Sequence, residues 1–160
     1  IGVPFREVHA AAMDVIARRT AEWGLLPPVT AEEALDADNG GQHRRYMVHG
    51  TSHHLGIDVH DCAQARREMY YDGLIREGMV FTIEPGLYFQ IDDVTVPEEY
   101  RGIGVRIEDD ILMTADGPVN LSAGDPAHLG RGRGLDRSRA GLRVLTVRRS
   151  EGGGAEDTLR

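Results

Sequence analysis

The chain has 160 residues, 41% of them hydrophobic, and a formal net charge of −8. This length suits one domain with a core of its own, and the composition excludes a disordered chain. The acidic balance argues against nucleic acid as the main partner, and no run approaches the roughly 18 apolar residues of a membrane span.

Cys62 is the one cysteine, so no internal disulfide can form and a reducing, cytoplasmic setting fits. A small buried thiol is the simplest reading of it. No basic region followed by an apolar stretch marks a secretion signal, and a start on Ile1 rather than Met is what a fragment would show. Charge is uneven. Residues 1–130 hold 10 arginines against 22 acidic residues, whereas 131–160 hold 8 arginines against 4. No lysine occurs.

In chain order, residues 4–23 read as a packing helix. Pro4 suits its first turn, Val8, Ala11, Ala12, Val15, Ile16 and Trp23 recur at helical spacing, and Gly24 with Pro27-Pro28 ends it. His9 on this helix reads as a surface or boundary residue. Thr30-Ala-Glu-Glu33 is a capping-box signature that predicts a short helix to about Asp36. A polar turn at Asp38–Gly41 follows.

The stretch Met47–Asp61 is the focus of the chain. It holds four of the seven histidines, His49, His53, His54 and His60, interrupted by Gly50 and Gly56. Alternation through Leu55, Ile57 and Val59 reads as a strand, with His54 and His60 on one face and His49 and His53 on the other, unless the Gly50-Thr51-Ser52 break re-aims them. Neutral imidazole is a common metal ligand and proton carrier, so this density points to a site.

Residues 62–77 read as a charged loop around it. Met79–Glu84 is a predicted strand stopped by Pro85-Gly86, and Leu87–Ile91 another. An acidic loop with Pro97 leads to Gly104–Met113, read as one strand with Val105, Ile107 and Ile111 on one face and Arg106, Glu108 and Asp110 on the other. Asp116-Gly117-Pro118 is a turn. Beyond about Ala123 the Arg/Gly-rich composition carries no sustained apolar period, and 123–160 is expected to be a disordered or non-native tail.

Two carboxylates stand out. Glu84 ends an apolar strand before a Pro-Gly turn, and Glu108 lies mid-strand beside Arg106. A carboxylate at the end of a buried strand must be paired, protonated or bound to a metal. With His53 they form a one-nitrogen, two-carboxylate set suited to Mn²⁺, Zn²⁺, Co²⁺ or Fe²⁺. The structural alternative is that Glu84 caps the turn and Glu108 pairs with Arg106.

Three stretches in order, His49-Gly-Thr-Ser-His53-His-Leu-Gly-Ile-Asp-Val-His60-Asp, Gly78-Met-Val-Phe-Thr-Ile-Glu84-Pro-Gly-Leu-Tyr88 and Tyr100-Arg-Gly-Ile-Gly-Val-Arg106-Ile-Glu108-Asp-Asp, resemble metallopeptidase family M24. Within that family they look most like the Xaa-Pro aminopeptidases (aminopeptidase P). The resemblance runs from about residue 2 to 122, and residues 1–122 are read as one domain, the C-terminal half of the family's catalytic domain. It implies an α+β architecture, the second half of a pita-bread (creatinase/aminopeptidase) fold, with a curved antiparallel sheet and flanking helices. It implies metal ligation by His53, Glu84 and Glu108, with Glu108 bridging two ions, and acid/base catalysis by Glu84. His60 would stabilise the reacting carbonyl, and His53, Glu84 and His60 together would form the catalytic group. His49, Tyr88 and Arg106 would line the pocket on the proline side of the scissile bond. The implied cofactor is a divalent metal pair, Mn²⁺ first with Co²⁺, Zn²⁺ and Fe²⁺ as alternatives, spaced about 4 Å to activate water and polarise the carbonyl. The implied partner is a peptide with proline second, with no nucleic acid or membrane, and the full-length protein is expected to be a homo-oligomer.

The family's two remaining ligands are aspartates from an upstream half that this sequence does not include. Asp61 with Asp72, and Asp125 with Asp136, have a similar mutual spacing but lie in the wrong order relative to His53. Weak metal binding and little or no activity are therefore expected of this chain alone. The rivals are a prolidase acting on Xaa-Pro dipeptides, against which Tyr100-Arg-Gly-Ile-Gly speaks, and a non-catalytic peptide-binding module of the same fold.

Overall fold

A computed structural model describes residues 1–26, 28–61 and 68–123, together with the backbone of a strand at Arg143–Thr146. Helix α1 spans Arg6–Glu22, close to expectation. Glu7 in its first turn and Arg19 in its last complement the helix dipole. Gly24, at φ 72°, closes it: Gly24 N–H bonds Ala21 O at 2.9 Å and Leu25 N–H bonds Thr20 O at 2.8 Å. That pair is a Schellman ending, which needs a left-handed residue and so favours glycine. The buried face differs from the one expected. Met13, Ile16, Ala17 and Thr20 point inward, while Val15 and Trp23 stand exposed. These four follow the i, i+3, i+4, i+7 rule, and Thr20 escapes a hydrophobicity count because its hydroxyl is satisfied locally, donating to Ile16 O at 2.6 Å.

Helix α2, Ala31–Leu35, has the expected capping box. The Thr30 N–H donates to the Glu33 carboxylate at 2.8 Å, and the Glu33 N–H to the Thr30 hydroxyl at 3.2 Å. The hydrogen bonds from Thr30 hold the Glu33 carboxyl below its ordinary value. The carboxylate half of the cap is therefore fully present at neutral pH and weakens as pH falls through that lowered value. Thr30→Ala should cost about 1 kcal/mol of stability, read by urea unfolding; an unchanged midpoint would show that the cap contributes nothing.

Apart from short 3₁₀ helices at Gln42–Arg45 and Glu98–Tyr100, the remaining described elements are β strands. β1 (Leu55–Gly56) and β2 (Val59–His60) form a two-stranded hairpin, Leu55 opposite His60. β3 (Val80–Ile83), β6 (Asp109–Thr114) and β7 (Gly117–Asn120) form an antiparallel sheet in the order β3-β6-β7. β4 (Gly86–Tyr88) pairs antiparallel with β5 (Ile103–Arg106), and β8 (Arg143–Thr146) runs parallel on the other side of β5. The rest of 124–160 lies outside the described residues.

The predicted strand Gly104–Met113 is thus two strands, broken at Ile107-Glu108. Its partner breaks opposite, at Glu84-Pro85. Proline has no N–H to offer the ladder, and only the bond from Ile107 N–H to Pro85 O, at 3.3 Å, crosses there. The register nevertheless continues through the bend. Ile83 faces Asp109 before it and Gly86 faces Arg106 after it, so Glu84 lies opposite Glu108.

Two main apolar clusters fasten this bent ribbon. Phe5, Ile75, Phe81, Ile111 and Met113 pack on the β3–β6 side, and Ala17, Leu25, Leu26, Ala34, Tyr46, Phe89 and Val96 on the β4 side. A smaller group, Met13, Ile16 and Met47, pins α1 to the start of the histidine-rich stretch.

Candidate metal centre

The site forms where the ribbon bends. Two carboxylates directly opposite each other on neighbouring strands repel unless a cation lies between them or beside them. Arg106 supplies one such charge. Its guanidinium donates to Glu84 at 2.7 Å and lies 3.3 Å from Glu108. Glu84 is buried, 6% exposed. Its other oxygen, Oε1, meets His53 Nε2 at 3.0 Å and the Thr82 hydroxyl at 3.0 Å.

His53 arrives on a segment that runs along β3. Thr82 N–H bonds His53 O at 2.9 Å and Glu84 N–H bonds Thr51 O at 2.7 Å. Ligand-capable atoms of His53, Glu84 and Glu108 all lie within 4.8 Å of one another, the one such group among the described residues. Asp72 instead pairs with Arg6, and Asp125 and Asp136, like Cys62, lie outside the described residues.

The donor set suits a divalent cation. His53 Nδ1 lies 2.9 Å from the His54 carbonyl, which can only accept, so Nδ1 carries a hydrogen. A neutral ring then turns the bare lone pair of Nε2 toward a carboxylate oxygen 3.0 Å away. Two acceptors at that distance call for a proton or a metal ion between them. Arg106 Nε and Asp109 Oδ1, flanking Glu108, are buried polar atoms with no hydrogen-bond partner among the described residues.

The histidine stretch is not one strand, and its faces are not as alternation predicts. The chain reverses through Ile57-Asp58, so His60 returns beside His53, ring centroids 4.3 Å apart. His54 points the other way, its ring stacked on Phe5 at 4.6 Å and edge-on to Tyr70 at 5.1 Å, a packing residue. His49 joins the site through Tyr88. Its Nδ1–H donates to Gly50 O at 2.7 Å, so its Nε2 accepts from the Tyr88 hydroxyl at 2.7 Å. Burial raises the Tyr88 phenol above its ordinary value, with Arg106 opposing and Glu84 adding to the shift. The sequence-predicted residues His49, His53, His60, Glu84, Tyr88, Arg106 and Glu108 therefore form one connected neighbourhood.

Sequence reasoning passed over three polar residues of this neighbourhood. Thr51 and Thr82 are almost wholly buried, and His9 Nδ1 lies 2.7 Å from the Thr51 hydroxyl. Burial, then Arg44 and His49, push the His9 imidazole below its ordinary value. A legible signal existed for Thr82: it lies two residues before Glu84 in an apolar strand, hence on the same face. A cleft of about 660 Å³ opens beside His49, lined also by His9, Arg44, Thr51, Ser52 and Tyr71.

The family profile described as Metallopeptidase family M24 matches residues 1–115. Xaa-Pro aminopeptidase 1 of Streptomyces coelicolor is 61% identical over 126 residues, which is 78% of this chain and 25% of that protein. Xaa-Pro aminopeptidase of Escherichia coli strain K12 is 41% identical over 122 residues, 76% of this chain and 26% of that protein. Among solved structures, aminopeptidase P from E. coli with the inhibitor Pro-Leu superposes with a TM-score of 0.65 at 38% identity, covering 76% of this chain and 26% of that one. A zinc-substituted form of the E. coli enzyme in complex with product matches equally, at 0.65. The chain thus spans about a quarter of the length of the curated relatives it matches.

Proposed function

The chain belongs to metallopeptidase family M24, and from that premise we propose that its parent protein is a metalloaminopeptidase releasing the N-terminal residue that precedes proline in a peptide. The carrying observation is the convergence of His53, Glu84 and Glu108 at the bend of the ribbon. These three would hold a divalent ion, Mn²⁺ by preference. When bound, such an ion supplies Lewis acidity for a peptide carbonyl and acidifies water.

The chain's own residues do the rest. Glu84, held in place by Arg106 and Thr82, takes a proton from the attacking water on a carboxylate oxygen and returns it to the departing proline nitrogen. His60, beside His53, donates to the carbonyl as charge builds on its oxygen. His49 and Tyr88, linked by their hydrogen bond, and Arg106 form the wall against which the proline side of the bond rests.

We read residues 1–122 as the C-terminal half of the catalytic domain and 123–160 as a tail outside it. Of the family's five ligands this chain has three, so its site is incomplete by itself. We also read the full-length protein as a cytoplasmic homo-oligomer, with the single cysteine as the support for that compartment. No helix among the described residues is long and apolar enough to cross a membrane.

Hydrolysis of an Xaa-Pro-Xaa tripeptide with added Mn²⁺ tests this reading. The full-length protein should release the first residue, and the 160-residue chain should show little or no turnover. Turnover by the chain at the full-length rate, lost in Glu84→Ala, would overturn the half-site reading. Failure of the full-length protein to cleave would overturn the assigned activity.

A further inference from the structure

Thr82 stands where two of the candidate ligands, His53 and Glu84, meet. Its side chain is 1% exposed and is one of the largest fully buried side chains among the described residues. The hydroxyl has two polar neighbours. The His53 N–H lies 3.1 Å away and can only donate; Glu84 Oε1 lies 3.0 Å away and, ionised, can only accept. The direction of both bonds is therefore set: His53 N–H to Thr82 Oγ1, and Thr82 O–H to Glu84. One hydroxyl thus ties the backbone of one metal-holding residue to the side chain of another.

The backbone of Thr82 reinforces the tie. Its N–H donates to His53 O at 2.9 Å, and its carbonyl accepts from the Ser52 hydroxyl. On its far side Thr82 is registered against Asp110 of β6, two residues past Glu108. The three candidate ligands come from separate segments, and Thr82 touches two of them while pairing with the strand that begins directly after the third.

We propose that Thr82 is a positioning residue of the metal centre, its hydroxyl fixing the Glu84 carboxylate and the His53 main chain in register with each other. This rests on the reading of His53, Glu84 and Glu108 as the metal-holding group. Thr82 is buried and carries no charge. It acts by restricting the rotation of Glu84, so that Oε1 faces His53 Nε2 while Oε2 remains on Arg106. Partners of ligands in this relation typically account for about 10–100-fold in metal affinity.

The test is Mn²⁺ binding by the full-length protein, followed by the loss of the free-ion electron paramagnetic resonance signal, for the unsubstituted protein, Thr82→Val, Thr82→Ser and Glu84→Ala. Val keeps the shape and removes the hydroxyl; Ser keeps the hydroxyl and removes the methyl. The dissociation constant should rise about 10–100-fold in Thr82→Val, stay close to the unsubstituted value in Thr82→Ser, and rise most in Glu84→Ala. Metal-free melting, measured in parallel, separates positioning from packing. Should Thr82→Val fail to fold by circular dichroism, Thr82→Ala takes its place.

Unchanged affinity in Thr82→Val, whatever its melting temperature, would overturn the proposal and leave the metal reading intact. Equal weakening in Val and Ser would overturn it in favour of packing by the methyl group. No saturable binding by the unsubstituted full-length protein would overturn the metal reading itself, and the positioning role with it.

Discussion

Glu84→Gln should lower cleavage of an Xaa-Pro bond by the full-length protein on the order of 10³-fold while leaving the fold in place. The substitution is nearly isosteric, so the side chain still fits its buried pocket and can still accept at one oxygen from Thr82 or Arg106. What it removes is the negative charge and the ability to take a proton. Both matter at this position. Glu84 lies opposite Glu108 and beside the lone pair of His53 Nε2, so the three together offer a cation two charges and one nitrogen. Without Glu84, Arg106 retains Glu108 alone, and the remaining pair carries no net charge with which to attract an ion. Steady-state release of the first residue measures the effect on chemistry, and a thermal melt with and without Mn²⁺ measures the effect on binding. Activity within about tenfold of the unsubstituted enzyme would remove Glu84 from the acid/base role. A large loss of metal-free stability would mean instead that the Arg106 pair holds the ribbon together.

How this site was legible, and where legibility ended, follows from the range of each interaction. The capping box of α2 and the glycine ending of α1 are local, and a few adjacent residues announce them. The candidacy of His53, Glu84 and Glu108 was legible because clustered histidines and carboxylates in apolar strands are unusual, and because the stretches that carry them resemble family M24. Their geometry was not. A strand reading of 47–61 places His60 with His54, but the reversal at Ile57-Asp58 exchanges them, and two neighbouring histidines acquire opposite fates. Alternation within 104–113 likewise falters at Asp109, which by itself does not mark the break of one strand into two. The cause lies on the partner strand, where Pro85 withholds an N–H, and no local pattern in 104–113 records that pairing. Thr20 and Thr82 show the same limit from another side. Each reads as a polar residue until its partner, a carbonyl one turn back or a carboxylate two residues on, is in view.

The stability of the site depends on the residue that sits beneath it, and Phe81→Ala should cost about 3–5 kcal/mol. Phe81 is 2% exposed and lies at the centre of the cluster formed with Phe5, Ile75, Ile111 and Met113. Its ring meets Phe5 edge-on at 5.3 Å, and His54 edge-on at 6.0 Å. In β3 it alternates with Thr82, so one face of the strand anchors the core while the other carries the site. The same residue pairs with Ile111 on one side and bridges to His54 on the other. Removing the ring therefore leaves a cavity where α1, β6 and the histidine segment meet. Domains of this size have a total stability of about 5–15 kcal/mol, so a loss of this size consumes a large share of it. Urea unfolding followed by circular dichroism should show a lower midpoint at unchanged slope. In the folded fraction that remains, Mn²⁺ affinity should also fall, because the His54 bridge that aligns His53 with β3 loses its support. A stability loss below about 1 kcal/mol would show that the cluster is loosely packed and that the alignment of His53 does not depend on it.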